Sequence, residues 1–240
     1  MRSNEQYIVR PFTIDNKTSN TLDDGFSITV DPNDNPSLNI HISLISFEYL
    51  KRGYGLNNLL KETNSTKIKR YIGNDIISNY SLQLGERRVL TVRIKNKGNK
   101  GQIYYAICEN IEIENNFSYN DAIEKEFHHF SHQIFSGLRS EDNHKLVTDL
   151  MGCYSYILSR YLYLCGIGYI VNNRVLTGDK TRKGSFTSPL RKRECLINQF
   201  IILQHLKDVI EDYFFQELLL FEKEYQNRSE RDEKPKTLRR

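Results

Sequence analysis

The hydrophobic pattern of this 240-residue chain changes its period partway along, and that change restricts the folds the chain can adopt. Up to about residue 115, apolar and β-branched residues alternate or run together in short stretches, which is typical of strands. From Tyr119 onward, apolar residues recur at helical spacing. Strands followed by helices predict an α+β domain, with an antiparallel-rich sheet followed by long amphipathic helices.

The predicted strands are separated by turn-forming stretches. They span residues 25–30, 38–47, 89–95 and 103–113. Residues 31–36 are rich in Asp, Asn and Pro, which predicts a hairpin turn between the first two strands. Residues 55–62 are expected to form a short helix.

Two long helices are predicted in the second half of the chain. The first covers residues 146–162 and has its apolar residues on one face. The second runs from Pro189 to about residue 225, with Ser188 placed to cap its free N–H groups. Residues 1–225 are therefore expected to form a single domain, and the charged residues 226–240 a disordered tail.

Charge and cysteine content indicate the type of cellular compartment in which the protein is expected. The formal net charge is +4, which is only mildly basic. The four cysteines show no CxxC spacing, which favours reduced thiols in the cytoplasm or another reducing compartment. The N-terminus lacks the apolar core of a signal peptide, and the apolar run at residues 154–170 is too short to span a bilayer. We therefore expect a soluble intracellular protein with no membrane partner.

Three aspartates form the first candidate site. Asp15 ends an extended apolar stretch, and Asp23 and Asp24 lie in a turn just before the next predicted strand. Carboxylates at the mouth of a sheet suit Mg²⁺, which takes a few carboxylate oxygens and fills its other positions with water and substrate phosphate. Aspartates are also common in turns because they bond to their own backbone, so the pattern alone leaves a structural role open.

A second candidate site lies at the start of the last predicted helix. Thr187 and Ser188 would place hydroxyl groups at the helix N-terminus, which favours phosphate. Arg191 adds a planar guanidinium that matches two phosphate oxygens. A plain cap explains the hydroxyls, but cations in the first turn oppose the helix dipole, which favours an anionic ligand. The basic residues of this stretch form either a phosphate-binding or a solvated surface: Lys180, Arg182, Lys183, Arg191, Lys192 and Arg193.

The two candidate sites belong to a larger pattern. Residues 13–28, TIDNKTSNTLDDGFSI, resemble the aspartate-rich opening of the RNB domain, the catalytic domain of the ribonuclease II family. Later RNB motifs are matched in the same order by residues 39–42, 77–88, 116–122, 146–166 and 186–199. Each motif is weak by itself, and their order makes the resemblance to a cut-down RNB domain specific.

The resemblance implies roles for particular residues. Asp15 and Asp24 match aspartates that hold the catalytic Mg²⁺, and Asp23 matches the one that activates or orients the attacking water. Arg191 matches the arginine that grips the phosphate next to the scissile bond. The RNA-binding residues of this interpretation are Thr187, Ser188, Arg191 and Lys192.

Members of this family degrade single-stranded RNA from the 3′ end and release nucleoside 5′-monophosphates. The resemblance therefore implies a Mg²⁺-dependent 3′-to-5′ exoribonuclease whose partner is single-stranded RNA.

The chain also departs from the family pattern. Thr21 and Leu44 stand where the family has aspartates, and residues 62–65 offer no aromatic side chain to stack on the terminal base. Two internal segments and the flanking cold-shock and S1 domains have no counterpart. A second interpretation therefore stays open, in which a catalytically degenerate RNB fold serves as an RNA-binding or assembly subunit of a larger complex.

That second interpretation needs a surface for a protein partner. The apolar face of the last predicted helix, around Phe214, Phe215 and Leu219, is the candidate.

Two weaker patterns favour structural roles. His128, His129 and His132 have a metal-like helical spacing but lack an evident fourth ligand. The helical period places three tyrosines in the core rather than on a base-stacking surface: Tyr156, Tyr161 and Tyr163.

Overall fold

Six strands form one mixed sheet in the computed structural model, which describes residues 6–33, 35–46, 74–96, 102–134, 142–171, 174–176 and 183–206. The strands are β1 (Gln6–Asp15), β2 (Asp24–Val30), β3 (Pro36–Ser43), β4 (Gly85–Asn96), β5 (Gln102–Ile113) and β6 (Asn115–Ser118). Their order across the sheet is β5-β4-β3-β2-β1-β6. All neighbours are antiparallel except β1 and β6, which run parallel.

Helices and a small hairpin complete the described part of the chain. The helices are α1 (Asn74–Tyr80), α2 (Lys125–Ile134), α3 (Asn143–Leu164) and α4 (Arg193–His205). Between α3 and α4, β7 (Tyr169–Val171) and β8 (Arg174–Leu176) form a separate antiparallel pair. A mixed sheet with helices agrees with the α+β prediction. The expectation that the chain is helical from Tyr119 onward is wrong where β7 and β8 interrupt it.

The predicted turn between β2 and β3 is present, and Asp31 organises it. Its carboxylate accepts hydrogen bonds from the backbone N–H groups of Asn33 (2.9 Å) and Asn35 (3.0 Å). The two strands then pair in register from Val30 with Pro36 to Asp24 with Ile42. The hairpin therefore sets the register of β2 against β3, which places Asp24 opposite Ile42.

One face of the sheet is apolar and forms the main core. Leu38, Ile40 and Ile42 of β3 alternate with polar residues and are fully buried. They belong to the same cluster as Phe127 of α2 and Tyr154 of α3. Full burial of each such side chain contributes about 1.5–3 kcal/mol. This packing holds α2 and α3 against the sheet.

The second long helix begins later than predicted. The sequence pattern places its start at Pro189 with Ser188 as the cap, whereas α4 begins at Arg193. Residues 189–191 form a turn instead, in which the Ser188 carbonyl accepts from the N–H groups of Arg191 (3.1 Å) and Lys192 (2.8 Å). The Leu190 N–H bonds to a side chain outside this segment, which draws the chain out of the helical path.

One of the three tyrosines expected in the core lies at the surface. Tyr156 is 49% exposed, whereas Tyr161 and Tyr163 are partly buried. The prediction is therefore wrong for Tyr156, which lies between the buried positions of α3.

Several predictions fall outside the described residues: the short helix at 55–62, the stacking position at 62–65 and everything after residue 206. The limits of the predicted domain are therefore not tested. Within the described ranges, no helix is long and apolar enough to cross a membrane.

The opposite face of the sheet carries a buried polar network around His41. The His41 ring nitrogens lie 2.9 Å from Ser27 Oγ and 2.8 Å from Thr91 Oγ1. Asn39 Nδ2 donates to Ser27 Oγ (3.0 Å), and Arg93 Nε donates to Asn39 Oδ1 (2.8 Å). Burial, with a smaller contribution from the Arg93 charge, lowers the pKa of His41 to about 3. The histidine is therefore neutral in the folded protein at any pH above this value.

His41 should make the fold sensitive to acid. In the unfolded chain the imidazole takes up a proton below its ordinary pKa of 6.5, and the folded state cannot, so stability falls as the pH drops from 6.5 toward 3. At pH 5 the loss from this group is about 2 kcal/mol. Urea unfolding at pH 7.5 and pH 5 measures it, with His41→Gln as the comparison. An equal pH-dependent loss in wild type and variant would contradict the assignment.

Candidate functional site

Asp15 and Asp24 come together because of how β1 and β2 pair. Asp15 is the last residue of β1 and Asp24 the first of β2, and the two strands are antiparallel neighbours. Both aspartates therefore lie at the same edge of the sheet. The parallel strand β6 extends this edge, because its last residue, Ser118, is aligned with Asp15.

The connection between β1 and β2 is held in place by hydrogen bonds. Ser19 Oγ lies 3.2 Å from Asp15 Oδ2 and 3.1 Å from the Thr21 carbonyl. The Leu22 N–H donates to Ser81 Oγ (2.8 Å). These bonds attach the connection to Asp15 at the end of β1 and to the segment between α1 and β4.

Asp23 is the most constrained residue of the site. Its side chain is fully buried, and both carboxylate oxygens are bound by residues just before α4. The Leu190 N–H donates to Oδ1 (2.9 Å), and Arg191 Nε donates to Oδ2 (2.5 Å). The Asp23 carbonyl accepts from the N–H of Ser43 at the end of β3 (2.8 Å). Asp23 thus joins the two candidate sites that the sequence analysis identified separately.

Arg191 points into the same site and stays accessible. Its side chain is 44% exposed although its Nε is bound to Asp23. Nη2 lies 3.4 Å from Ser188 Oγ, a long and weak contact. Ser188 is buried, Thr187 is partly buried and Lys192 is exposed. Arg191 is therefore the member of this group that combines a fixed orientation with access to solvent.

Helix α4 is anchored on both sides of the site by two buried amides. Asn198 Oδ1 accepts from the Ile170 N–H (2.7 Å), and Asn198 Nδ2 donates to the carbonyls of Ile170 and Ser185 (2.9 Å each). Gln199 Nε2 donates to the carbonyl of Ser43 (2.8 Å). These bonds attach α4 to β7, to the segment leading to Arg191 and to the end of β3. They fix the distance between Arg191 and the sheet edge.

Burial and neighbouring charges raise the pKa values of the Asp23 and Asp24 carboxyl groups. Burial raises the pKa of Asp23 to about 6, although the Arg191 charge and the Leu190 N–H oppose the rise. Burial raises the pKa of Asp24 to about 8, with further contributions from the charges of Asp23 and Asp15. At pH 7 Asp24 therefore holds a proton in most molecules unless a cation replaces it.

Tyr119 is a site residue to which the sequence analysis gave no role. Burial, followed by the charges of Asp15 and Asp24, raises its pKa, so the phenol lies within the field of the acidic group. Its ring contacts His144 at the start of α3, with the centroids 5.0 Å apart. Asn143 Nδ2 donates to the Tyr119 carbonyl (3.0 Å). The available signal was its place inside a matched motif, residues 116–122.

The two replaced aspartate positions have different surroundings. Leu44 is fully buried in the main core, so this position contributes only packing. Thr21 is also buried but lies in the connection next to Asp23, with its carbonyl bound by Ser19. Thr21 therefore adds a hydroxyl and no carboxylate to the connection that leads to Asp23.

Two carboxylates remain available for a cation. No described side chain donates a hydrogen bond to the Asp24 carboxylate, whereas both oxygens of Asp23 are engaged. Asp15 accepts from the Asn16 N–H (2.7 Å) and from Ser19. The described residues contain no group of three or more His, Cys, Asp or Glu side chains that could hold a metal ion. Mg²⁺ is commonly bound through only one or two carboxylates, so Asp15 and Asp24 fit it.

The three histidines of α2 contact residues of their own helix. His129 Nε2 lies 2.9 Å from Gln133 Nε2, and the rings of His128 and His132 stack with their centroids 6.3 Å apart. In the described part of the chain they belong to no metal-binding group.

The fold is shared with solved RNB proteins. RNase R from Mycoplasma genitalium, in complex with ribose-methylated single-stranded RNA, aligns with a TM-score of 0.60 and 13% identity over 93% of this chain. The Dss1 exoribonuclease from Candida glabrata, an active-site mutant, aligns with a TM-score of 0.57 and 13% identity over 92%. Yeast Ssd1, a pseudonuclease, aligns with a TM-score of 0.58 and 10% identity over 93%.

The likeness is one of fold. No family model matches the sequence, and no curated protein matches it. The chain spans about half the length of these solved structures: 56% of RNase R, 46% of Dss1 and 43% of Ssd1. The chain therefore has an RNB-like fold, and that fold occurs both in exoribonucleases and in a pseudonuclease.

Mg²⁺ binding should strengthen with pH because a cation must displace the proton of Asp24. With a pKa of about 8 for this group, the affinity should rise about 25-fold between pH 6.5 and pH 8.5. Isothermal titration calorimetry with MgCl₂ at the two pH values measures the change. Asp24→Asn should bind Mg²⁺ weakly and with no such pH dependence. An affinity that is constant in the wild type would argue against Asp24 as a ligand.

Proposed function

We propose that the protein is a Mg²⁺-dependent ribonuclease that hydrolyses single-stranded RNA from the 3′ end to nucleoside 5′-monophosphates. The observation that carries this proposal is the joining of an accessible arginine to an acidic group across 168 residues of sequence. Metal-assisted phosphodiester hydrolysis uses both components, a cationic side chain for the phosphate and carboxylates for a metal ion. The RNB-like fold supports RNA as the substrate class.

Arg191 would hold the phosphate next to the scissile bond. The Asp23 carboxylate binds its Nε and so fixes the plane of the guanidinium. The exposed end of the side chain would donate two parallel hydrogen bonds to phosphate oxygens. Lys192, which is exposed beside it, would add a second positive charge for the RNA backbone.

Asp15 and Asp24 would hold Mg²⁺ from the edge of the sheet. A bound Mg²⁺ supplies Lewis-acid polarisation of the phosphoryl group and lowers the pKa of water. Asp24 would release its proton when the cation binds, because the positive charge removes the cost of ionisation. The role of Asp23 toward the attacking water follows from the family resemblance. Its charge also keeps Arg191 oriented.

A second candidate function is supported by the state of Asp23. Both of its oxygens are engaged and its side chain is fully buried, and Thr21 leaves the acidic group one carboxylate short. A chain with this arrangement could bind RNA through Arg191 without cleaving it, as an RNA-binding or assembly subunit. The two candidates share RNA binding and differ only in hydrolysis.

Arg191→Lys should weaken RNA binding by about tenfold or more, because an ammonium cannot reproduce the two parallel bonds of a guanidinium. Fluorescence anisotropy with a labelled 20-nucleotide single-stranded RNA, in EDTA, measures binding without cleavage. Arg10→Lys is the matched control, because Arg10 lies on β1 and its exposed side chain forms an ion pair with Glu114. Equal affinities in the two variants would exclude Arg191 as the phosphate-binding residue.

Asp23→Asn separates the two candidate functions. In an enzyme the substitution should lower the cleavage rate about 10²–10⁴-fold, since it removes the charge that serves the nucleophile. Cleavage of 5′-labelled RNA is followed with Mg²⁺ and with EDTA, and thermal unfolding checks that the variant is folded. Asp142→Asn is the control, because Asn caps helix α3 as well as Asp does.

Thr21→Asp tests the proposed metal site by adding a carboxylate instead of removing one. Restoring the carboxylate should raise the cleavage rate and tighten Mg²⁺ binding in an enzyme, because it adds one negative charge next to the cation. If neither wild type nor Thr21→Asp cleaves RNA in Mg²⁺, the hydrolase proposal fails and the RNA-binding candidate takes its place.

A further inference from the structure

The outer surface of α3 carries an aromatic and cationic patch at a distance from the acidic group. Tyr156 is 49% exposed, and Lys183 Nζ lies 5.9 Å from the centroid of its ring. One turn further along the helix, the Arg160 guanidinium lies 5.3 Å from the centroid of the Tyr163 ring. We call this group the α3 patch: Tyr104, Tyr156, Arg160, Tyr163 and Lys183.

Tyr104 extends the patch from the helix onto strand β5. Its side chain is 42% exposed. It lies on the same face of β5 as Ala106 and Cys108, which pack against the core that contains Tyr154 of α3. Burial, followed by the charges of Cys153 and Tyr156, raises the pKa of Tyr104, in agreement with this placement. Positions 153, 156, 160 and 163 follow one another at three- and four-residue intervals, so they share one face of α3. The patch therefore combines residues of α3 and β5 with Lys183 from the segment before α4.

The charge of the patch is positive. The part of α3 from residue 150 to residue 164 contains no Asp or Glu. Arg160 and Lys183 are both exposed, and Lys183 belongs to the basic stretch of residues 180–193. Exposed cation–ring pairs contribute only about 0.5–1 kcal/mol. A ligand that offers both planar rings and negative charge can therefore compete for both partners of each pair.

The α3 patch and the candidate site lie at different positions along the same helix, α3. The start of α3 lies beside the acidic group, because His144 contacts Tyr119 there. At about 1.5 Å of rise per residue, Tyr156 lies about 18 Å further along the helix and Tyr163 about 28 Å. A strand held at its end by Arg191 could reach the patch only with nucleotides several positions away from that end.

We propose that the α3 patch is a second binding surface for single-stranded RNA, on which bases stack against Tyr156 and Tyr104 while Arg160 and Lys183 contact the backbone phosphates. The choice of RNA as ligand rests on the proposed function. Stacking on exposed aromatic rings beside cations is the general way in which single strands are bound without sequence preference.

The test measures binding to two strands that differ only in their bases. One is a labelled 20-nucleotide oligouridylate, and the other is a 20-unit strand of abasic tetrahydrofuran phosphates. Tyr156→Ala should weaken binding of the oligouridylate about 5- to 100-fold and leave binding of the abasic strand unchanged. Tyr156→Phe should bind the oligouridylate like the wild type, because stacking needs the ring and not the hydroxyl. Ile107→Ala is the matched control, since Ile107 is 42% exposed on β5 and on the other face of the sheet from Tyr104.

The outcomes distinguish this inference from the proposed function. Oligouridylate binding by Tyr156→Ala equal to that of Ile107→Ala overturns the α3 patch as an RNA surface and leaves the role of Arg191 intact. Equal losses for both strands overturn it too, since they mark a structural role for the ring. A loss in Tyr156→Ala with none in Arg191→Lys supports the patch and removes Arg191 from the proposed function. No binding of either strand by the wild type overturns both.

Discussion

The contact between Asp23 and the segment before α4 is the interaction on which the rest of the site depends. A buried carboxylate costs several kcal/mol unless it is paired and hydrogen-bonded, and here one N–H and one guanidinium share that task. The dependence is mutual, because the Leu190 N–H donates to the Asp23 carboxylate instead of to a helical carbonyl. The connection before β2 and the turn before α4 therefore stabilise each other. The contact therefore positions both segments that form the candidate site.

The parts of the fold that repeat regularly could be predicted from the sequence. β2 and β4 alternate polar and apolar residues, β5 contains an apolar run, and α3 follows a helical period over 22 residues. The missed elements lack such regularity. β1 has two register shifts near Val9 that break its alternation, β6 has only four residues, and β7 and β8 have three each. Elements of this kind are defined by the partners they pair with, and a single sequence does not show those partners.

The residues of the candidate site divide in the same way, into those that local sequence patterns mark and those that only long-range contacts define. Local motifs identify Asp15, Asp24 and Arg191, because residue type and spacing are enough to mark them. Contacts between distant segments cannot be found in this manner. They include the engagement of Asp23 by Leu190, the approach of Tyr119 to the acidic group, and the turn that delays α4. The Ser188 cap is an instructive failure, since Ser-Pro is a good local helix start. A long-range bond to Asp23 outweighs that local preference.

The separation of Asp23 from Arg191 also sets the order of events when the chain is made. Asp23 leaves the ribosome first, and its partner is added 168 residues later. At about 5–20 residues per second, this delay lasts roughly 8–34 s. During that interval the Asp23 carboxylate has neither of its two partners. The candidate site therefore assembles only after the segment that contains Leu190 and Arg191 has been synthesised.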